Sequence, residues 1–377
     1  MSTLRVNNLQ NTSTTDGGIS INNAGHVTID GVALPSNGAL SNRNIIINGA
    51  MNVTQRGTAS VTATGQFPVD RFITSFSVTS AAISSEVQEE APAGLFNSLR
   101  YRMTTAATAG AAEVNNIQHK IEGTNIRHLK WGTAQASNVT LSFWVRSSSA
   151  GTYCVSLRND AGATRRSYVA EYTIQAADTW ERITIPINGD TGGTWLTTTG
   201  LGINITWDLG SGSNFNGTAD SWLNDENRIN TTNQFDFANT ANAEFYLTGV
   251  QLEVGDVATP FEHRSFGDEL ARCQRYYQRV QVGATNVGSS GTTAIGNIGV
   301  PLAASMRAAP TCDTAAAYTA WVGGAAGVVG NSVTMTITSY DTFSGALRAN
   351  VGGFSGLTAN RIAGIHNNAI IGLTAEL

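Results

Sequence analysis

Short runs of alternating apolar and polar residues, broken every few positions by Gly, Asn, Asp, Ser or Thr, recur from one end of this chain to the other. Val139-Thr140-Leu141-Ser142-Phe143-Trp144-Val145-Arg146 is the clearest of them. A period of two sends one side of a run inward and the other outward, which is the signature of a strand. Turn residues at this spacing leave room only for short strands joined by loops, so the chain is predicted to be all-β. The 40 glycines against 7 prolines suit that architecture, because glycine frees φ at tight turns.

Alternation predicts strands over 45–47, 72–78, 99–103, 139–146, 151–157, 168–174, 180–187, 201–207 and 245–252, with Ile117, His119 and Ile121 facing inward from another. Asn159-Asp160-Ala161-Gly162, Asn188-Gly189-Asp190 and Gly210-Ser211-Gly212 mark turns between them. Such a series closes as a two-sheet sandwich or jelly roll, assigned to residues 41–266. Residues 1–40 differ. Ile19, Ile21, Val27 and Ile29 form two short strands about Asn22-Asn23-Ala24-Gly25, too polar to bury a core alone. That segment is either a flexible tail or a stretch ordered by pairing with copies of itself or with a docking partner.

Ser265, with Asp268 three residues on, is a helix-capping pair, and Phe266, Leu270, Cys273 and Tyr277 share a helical face. A connector helix is therefore predicted over 265–279. Beyond it, 295–300, 332–337, 346–351 and 369–373 predict a smaller C-terminal β-sandwich within residues 267–377. Ala and Gly dominate this region and bury little area each, at about 25 cal/mol per Å² of apolar surface. The C-terminal domain is expected to pack against copies of itself.

Chemistry is bounded by what the chain lacks. A formal net charge of −5, with no run of Lys or Arg, gives no field to attract nucleic acid. Cys154, Cys273 and Cys312 lie far apart, match no metal-ligand spacing and suggest no disulfide framework, which fits assembly in a reducing compartment. No stretch is long and apolar enough for membrane insertion, and the N-terminus has no secretion signal. The five histidines, His26, His119, His128, His263 and His366, form no metal or triad spacing, and no nucleophile elbow, phosphate loop or dinucleotide fingerprint is present. Glu86, Glu89 and Glu90 cluster, as do Asp225 and Glu226. Glycoside cleavage needs two carboxylates about 5–10 Å apart across a cleft, which sequence neighbours do not establish. Glu253 and Glu262 are expected to hold backbone or Arg264. An enzyme is not expected.

Asn44-Ile45-Ile46-Ile47-Asn48-Gly49-Ala50-Met51-Asn52-Val53, with Gln55-Arg56-Gly57 and Asp70-Arg71-Phe72, resembles the opening of a family of bacteriophage tail-fibre, or receptor-binding, proteins. The hairpin formed by Val139–Val145 and Gly151-Thr152-Tyr153, then Thr179-Trp180-Glu181, Gly189-Asp190-Thr191 and Trp195, is similar to that family's central region. Leu247–Gly255, Ala258-Thr259-Pro260-Phe261-Glu262 and Cys273–Tyr277 resemble its closing signature. Pro301-Leu302, Met306–Pro310 and Thr374–Leu377 resemble its C-terminal domain. The resemblance spans roughly residues 42–377 and lies in the ordered set of motifs. It implies a virion tail protein, assembled in the host cytoplasm, commonly a homotrimer. Its central jelly roll would be similar to a carbohydrate-binding module and bind a host surface glycan without catalysis. Residues 1–40 would attach to other tail or baseplate proteins. The alternatives are a purely structural baseplate, collar or decoration protein and, less favoured, a polysaccharide depolymerase.

Sugar-binding jelly rolls stack aromatic faces on pyranose rings and fix hydroxyls with Asn, Asp and Gln. Of seven tryptophans, Trp144 and Trp180 lie within alternating strands and are expected in the core, whereas Trp131, Trp195, Trp207, Trp222 and Trp321 lie near turns or polar loops. The segment 208–239 is long, polar and rich in Asn and Asp, and loops of that kind are usually functional or disordered. Trp222, Asp220, Asn224 and Asp225 are the candidate glycan-binding residues there, with Trp195 and Trp207 beside them. The competing reading is that Trp222 only fastens the loop to the sandwich. Asp208, Asp220, Asp225, Glu226 and Asp236 are candidate calcium holders, although no twelve-residue calcium loop is present. No metal site is predicted outright.

Overall fold

A computed structural model of the chain describes residues 8–10, 18–23, 25–35, 40–159, 165–224, 228–282, 287–290, 296–312, 318–322, 328–332, 334–340, 347–352, 362–365 and 369–377. It is mostly β, in several antiparallel sheets, with one short α-helix among the described residues. Two compact units divide the chain: residues 1–54 with 58–264, and residues 55–57 with 265–377.

The first unit opens with a meander of β1 (Asn8–Gln10), β2 (Gly18–Ile21), β3 (Val27–Ile29) and β4 (Val32–Ala33), paired in that order. Ile21 faces Val27 across the predicted turn, of which Ala24 lies outside the described residues. Ile19, Ile21, Ile29 and Val32 stay exposed, so the meander leaves apolar surface in solvent.

The strands that follow are β5 (Phe72–Phe76), β6 (Ala82–Gln88), β7 (Ser98–Thr105), β8 (Asn115–Glu122), β9 (Val139–Ser147), β10 (Gly151–Arg158), β11 (Ser167–Ile174), β12 (Glu181–Ile187), β13 (Leu201–Asp208), β14 (Trp222–Leu223) and β15 (Glu244–Val254). They build a six-stranded sheet in the order β14-β11-β10-β13-β8-β5 and a five-stranded sheet in the order β12-β9-β15-β7-β6. Alternation decides which residues face inward. Leu141, Phe143 and Val145 of β9, Tyr153, Val155 and Leu157 of β10, and Ile203, Ile205 and Trp207 of β13 are fully buried in one core. Each such side chain contributes roughly 1.5–3 kcal/mol on burial. Phe143 meets Tyr172 and Trp207 edge-on at 5.3 and 5.8 Å, the arrangement the ring quadrupoles favour. Ile117, His119 and Ile121 face inward as predicted. Burial, reinforced by the Arg71 charge, holds the His119 pKa well below the usual imidazole range, so the ring packs neutral, 4.7 Å from Phe72.

Residues 45–47 are not a strand. They run through a buried turn that fastens the entry of the sandwich to its exit. Asn44 donates from Nδ2 to Val250 O (3.1 Å), and its Oδ1 accepts the amides of Ile46 (3.0 Å) and Leu252 (3.1 Å). Asn48 closes the same turn: its Oδ1 accepts the Asn52 and Val53 amides, and its Nδ2 donates to Val53 O and Asp70 O. Gly49 passes so close to Val250 that a Cβ would lie 2.1 Å from the Val250 carbonyl oxygen. On the exit side, Glu253 accepts from Gln251, the Thr259 amide and the Thr259 hydroxyl, while Glu262 accepts the Arg43 and Asn44 amides. Burial pushes the Glu262 carboxyl up, but those two amides and the Arg264 and Arg43 charges outweigh it, and its pKa falls below the usual value. The two glutamates thus hold backbone and neighbouring side chains, with Arg264 3.4 Å from Glu262.

In the second unit, the Ser265 hydroxyl accepts the Asp268 amide at 3.2 Å and caps α1 (Phe266–Gln274). The helix stops short of the predicted residue 279 because Tyr277–Val282 forms β16. Aromatic and β-branched residues there favour a strand, and a partner strand is present. Of the predicted apolar face, only Cys273 is a buried helical residue. Phe266 is 61% exposed and Tyr277 is buried within β16 instead. The remaining strands are β17 (Val287–Ser290), β18 (Gly296–Val300), β19 (Thr311–Cys312), β20 (Tyr318–Val322), β21 (Val328–Ser332), β22 (Thr334–Tyr340), β23 (Leu347–Gly352), β24 (Ile362–Ile365) and β25 (Ala369–Thr374). They form a three-stranded sheet, β16-β25-β19, and a seven-stranded sheet, β21-β20-β24-β17-β18-β23-β22. Arg56 lies 3.6 Å over the Tyr277 ring and 3.3 Å from Glu376.

Gly49→Ala is expected to destabilise the first unit by about 3 kcal/mol or more, because the contact it creates is with backbone that cannot swing aside. Urea unfolding followed by tryptophan fluorescence measures this, and a midpoint equal to wild type would contradict the tight approach to Val250.

Candidate functional site

The outward face of the six-stranded sheet is polar, and its strand register arranges the side chains in rows. Arg158, Asn204 and Lys120 stand opposite one another on β10, β13 and β8. Ser156, Thr206 and Gln118 form the next row, and Cys154, Asp208 and Asn116 the third. Asn204 Nδ2 donates to Gln118 Oε1 (3.1 Å), Gln118 Nε2 to Asn116 Oδ1 (3.0 Å), and Arg158 Nη2 to the Thr206 hydroxyl (3.3 Å). Among the described residues, these bonds leave Ser156 Oγ and Asn204 Oδ1 buried with no hydrogen-bond partner. Leaving such an atom unmatched costs about 1–3 kcal/mol, and Asp208 Oδ1 in the third row is unmatched too. At one end the face opens into a pocket of about 170 Å³ lined by Gln118, Lys120, Arg158, Arg165 and Asn204, among others. Amides, ammonium and guanidinium groups suit a hydroxyl-rich ligand.

The other end is covered by the segment between β13 and β15. Asp208 organises it: Oδ2 accepts from the Gly210 and Ser211 amides (3.1 and 3.0 Å), Gln234 Nε2 (2.7 Å) and Asn230 Nδ2 (3.3 Å). Full burial raises its pKa to about 6 even though those donors pull the other way. Cys154 lies beside it, 3.7 Å from the Thr231 hydroxyl, and burial pushes its thiol up to about 12. A thiol held neutral is neither nucleophile nor metal ligand.

The tryptophans sort differently from the sequence expectation. Trp207 is in the core, wholly buried, 6.1 Å from Phe72, and no ligand reaches it. It shares the inward phase of β13 with Ile203 and Ile205. Conversely, Trp144 and Trp180 are only half-buried, because they occupy the outward phase of the five-stranded sheet and its edge. Trp195 and Trp222 do come together, with Trp131: the three rings pack edge-on at 4.7, 5.3 and 5.5 Å. Every indole N–H in this cluster is already committed, Trp131 to Ser137 O, Trp195 to Asp190 Oδ2 and Trp222 to Asn188 O. Arg166 reaches both Asp190 carboxylate oxygens (2.8 and 2.6 Å) and also bonds Asn224. Asp220, in the left-handed region at φ 59°, sits beside Tyr168. Trp222, Asp220, Asn224 and Trp195 therefore form one neighbourhood whose bonds are mutual, which favours fastening the loop. Trp321 lies in β20. Asp225 and Glu226 lie outside the described residues. Among the described residues no group of three His, Cys, Asp or Glu is placed to hold a metal ion. Asn204, Gln118 and Ser156 were missed by sequence reasoning, since polar residues on one phase of a strand read as ordinary solvated surface.

No protein-family model matches this chain, and no curated protein matches it. Similar solved structures include the enzymatically active domain of tailspike protein 4 of bacteriophage CBA120 (12% identity, 56% of this chain and 21% of that one, TM-score 0.31). A putative sugar binding protein from Bacteroides thetaiotaomicron (10% identity, 56% and 100%, TM-score 0.31) is another. So is the CBM22-2 xylan-binding domain of Xyn10C from Paenibacillus barcinonensis (14% identity, 52% and 98%, TM-score 0.29). This chain thus spans about a fifth of the tailspike structure's length.

Because folding lifts the Asp208 carboxyl from 3.8 to about 6, the folded state binds more protons than the unfolded chain between those values. The stability of the first unit is expected to fall as pH rises from about 4 to about 6, with this component absent in Asp208→Asn. Denaturation midpoints measured across that window test it, and wild type and variant sharing one slope would remove Asp208 as the cause.

Proposed function

We propose that this chain binds a glycan without cleaving it, through the open end of the polar face on the six-stranded sheet. The observation that carries this reading is the set of amides and cations, Gln118, Lys120, Arg158 and Asn204, that lines the pocket at the open end of this face, where Asn204 Oδ1 has no hydrogen-bond partner among the described residues. Sugar hydroxyls both donate and accept, so one ring can bond several of these side chains at once. Cys154, buried with its thiol held neutral, and His119, turned into the core against Phe72, supply no nucleophile or base there.

The ordered motifs from Asn44 to Leu377 support a finer reading: a phage tail-fibre protein that recognises a host surface glycan as a homotrimer. In it residues 1–40 attach to the virion, 41–266 carry the glycan site, and 267–377 assemble the trimer. Three weak sites on one particle then gain avidity through effective concentration. The exposed apolar residues of the N-terminal meander fit a segment that pairs with a partner.

Binding of the purified protein to immobilised bacterial surface polysaccharides tests the site. Asn204→Ala and Gln118→Ala should each weaken binding about tenfold, the equivalent of one lost hydrogen bond of about 1.4 kcal/mol, with the melting temperature nearly unchanged. Unaltered binding in both variants would move the site off this face. Release of reducing ends would make the protein a depolymerase, and a monomer in sedimentation at micromolar concentration would remove the trimer.

A further inference from the structure

The opposite face of the sandwich holds a larger pocket, of about 320 Å³, on the outward side of the five-stranded sheet. That volume is at the low end of the range of about 300–1,000 Å³ occupied by small-ligand sites. Trp144 on β9 forms one wall, Leu95, Pro260 and Phe261 add apolar lining, and His263 lines it beside Phe261. A bulge in β15 shapes it. The pairing of β15 with β9 slips between Thr248 and Gln251, and Gly249 adopts φ 58° within the slip. A Cβ at Gly249 would lie 2.9 Å from Leu95 Cδ1 and 2.9 Å from Trp144 Cδ1. The missing side chain is therefore what lets the indole settle against the sheet, and bulges of this kind re-aim side chains at functional sites.

Polar groups converge on the same space. Ser142 and Arg182 line it, and across the β9–β12 ladder Arg182 stands opposite Trp144 and diagonal to Ser142. Arg182 is anchored by one bond, from Nη2 to Thr259 O at 2.6 Å, which leaves its other N–H groups for a ligand. Among the described residues, neither the Ser142 hydroxyl nor the Trp144 indole N–H has a hydrogen-bond partner, in contrast to the committed N–H groups of Trp131, Trp195 and Trp222. The other outward aromatics of this sheet are taken: Arg146 lies 4.1 Å from the Tyr246 ring centre and 5.4 Å from that of Trp180.

We propose that this pocket is a second saccharide subsite, which seats one pyranose ring with its C–H face against Trp144 and its hydroxyls toward Ser142, Arg182 and the indole N–H. An aromatic face presents negative charge to polarised C–H bonds, and donors at its edge read hydroxyls, so the combination selects a ring with one apolar face and a polar rim. The proposal shares with the preceding section only the premise that the ligand is a saccharide. The two sites lie on opposite sheets of one core and are separable by mutation.

Indole ¹H–¹⁵N spectra of the full chain, titrated with the methyl glycosides of glucose, galactose, N-acetylglucosamine and glucuronic acid, test it. Trp144→Phe identifies the Trp144 cross-peak by removing it. At least one glycoside is expected to move that peak saturably with a Kd of about 1–10 mM, the range for a single weakly held ring. The same titration in the Gln118→Ala/Asn204→Ala double variant should give a Kd within twofold of wild type. A Trp144 peak that none of the probes moves overturns the proposal, whatever happens on the other face. A shift lost in the double variant also overturns it, since the ligand would then occupy only the pocket lined by Gln118 and Asn204. A shift that persists while the Gln118 and Asn204 variants leave polysaccharide binding unaltered upholds this pocket and removes that one.

Discussion

The sandwich of the first unit closes because residues 43–53 and 250–262 interlock through buried polar groups. Asn44 bridges Ile46, Val250 and Leu252, while Glu253 and Glu262 hold Thr259 and the amides of Arg43 and Asn44. A buried amide or carboxylate that lost its partners would be strongly unfavourable, so these groups accept only one arrangement of the two segments. Gly49 adds a steric condition, since only a residue without a side chain lies so close to Val250 O. This fastening sets where β15 runs, and β15 is the central strand of the five-stranded sheet. The bulge at Gly249 sits at the same place, so the turn that closes the fold and the pocket beside Trp144 depend on one stretch of chain.

Both candidate sites follow from the pleat. Once one phase of each strand is committed to the core, the other must face outward, and on the six-stranded sheet that phase carries Asn, Gln, Ser, Thr and Arg. Covering half of this face with the 209–243 segment buries Cys154 and Asp208 and leaves the Arg158–Asn204 end open. Asp208 is the hub of the cover, and its elevated pKa is the consequence of seating a carboxyl where water is excluded. The tryptophan cluster of Trp131, Trp195 and Trp222 supports the loops at the edge of this sheet through ring packing and committed indole N–H groups.

The strand positions were largely legible from the sequence, because a period of two reports directly which residues share a face. β9, β10, β11, β13 and β15 lie where alternation places them. The expected strand over 45–47 is instead a buried turn: three consecutive isoleucines report burial but not backbone conformation, and the flanking Asn44 and Asn48 supply the turn's bonds. The helix was overextended because the Cys273–Tyr277 spacing suits a helical face, while the pairing of Tyr277 with Thr374 is non-local and invisible in a local window.

The sequence by itself determined an all-β chain and a capped helix beginning at Ser265, because propensity, capping and alternation are local properties. Tertiary structure alone decided which tryptophans are covered. Trp207 lies in the core and Trp144 outside it, although both sit in well-formed strands, because the inward phase of each strand depends on the sheet packed against it. It also decided that Asn204 and Ser156 hold atoms unmatched among the described residues, since a hydrogen bond left unmade is a fact about neighbours brought together from distant parts of the chain.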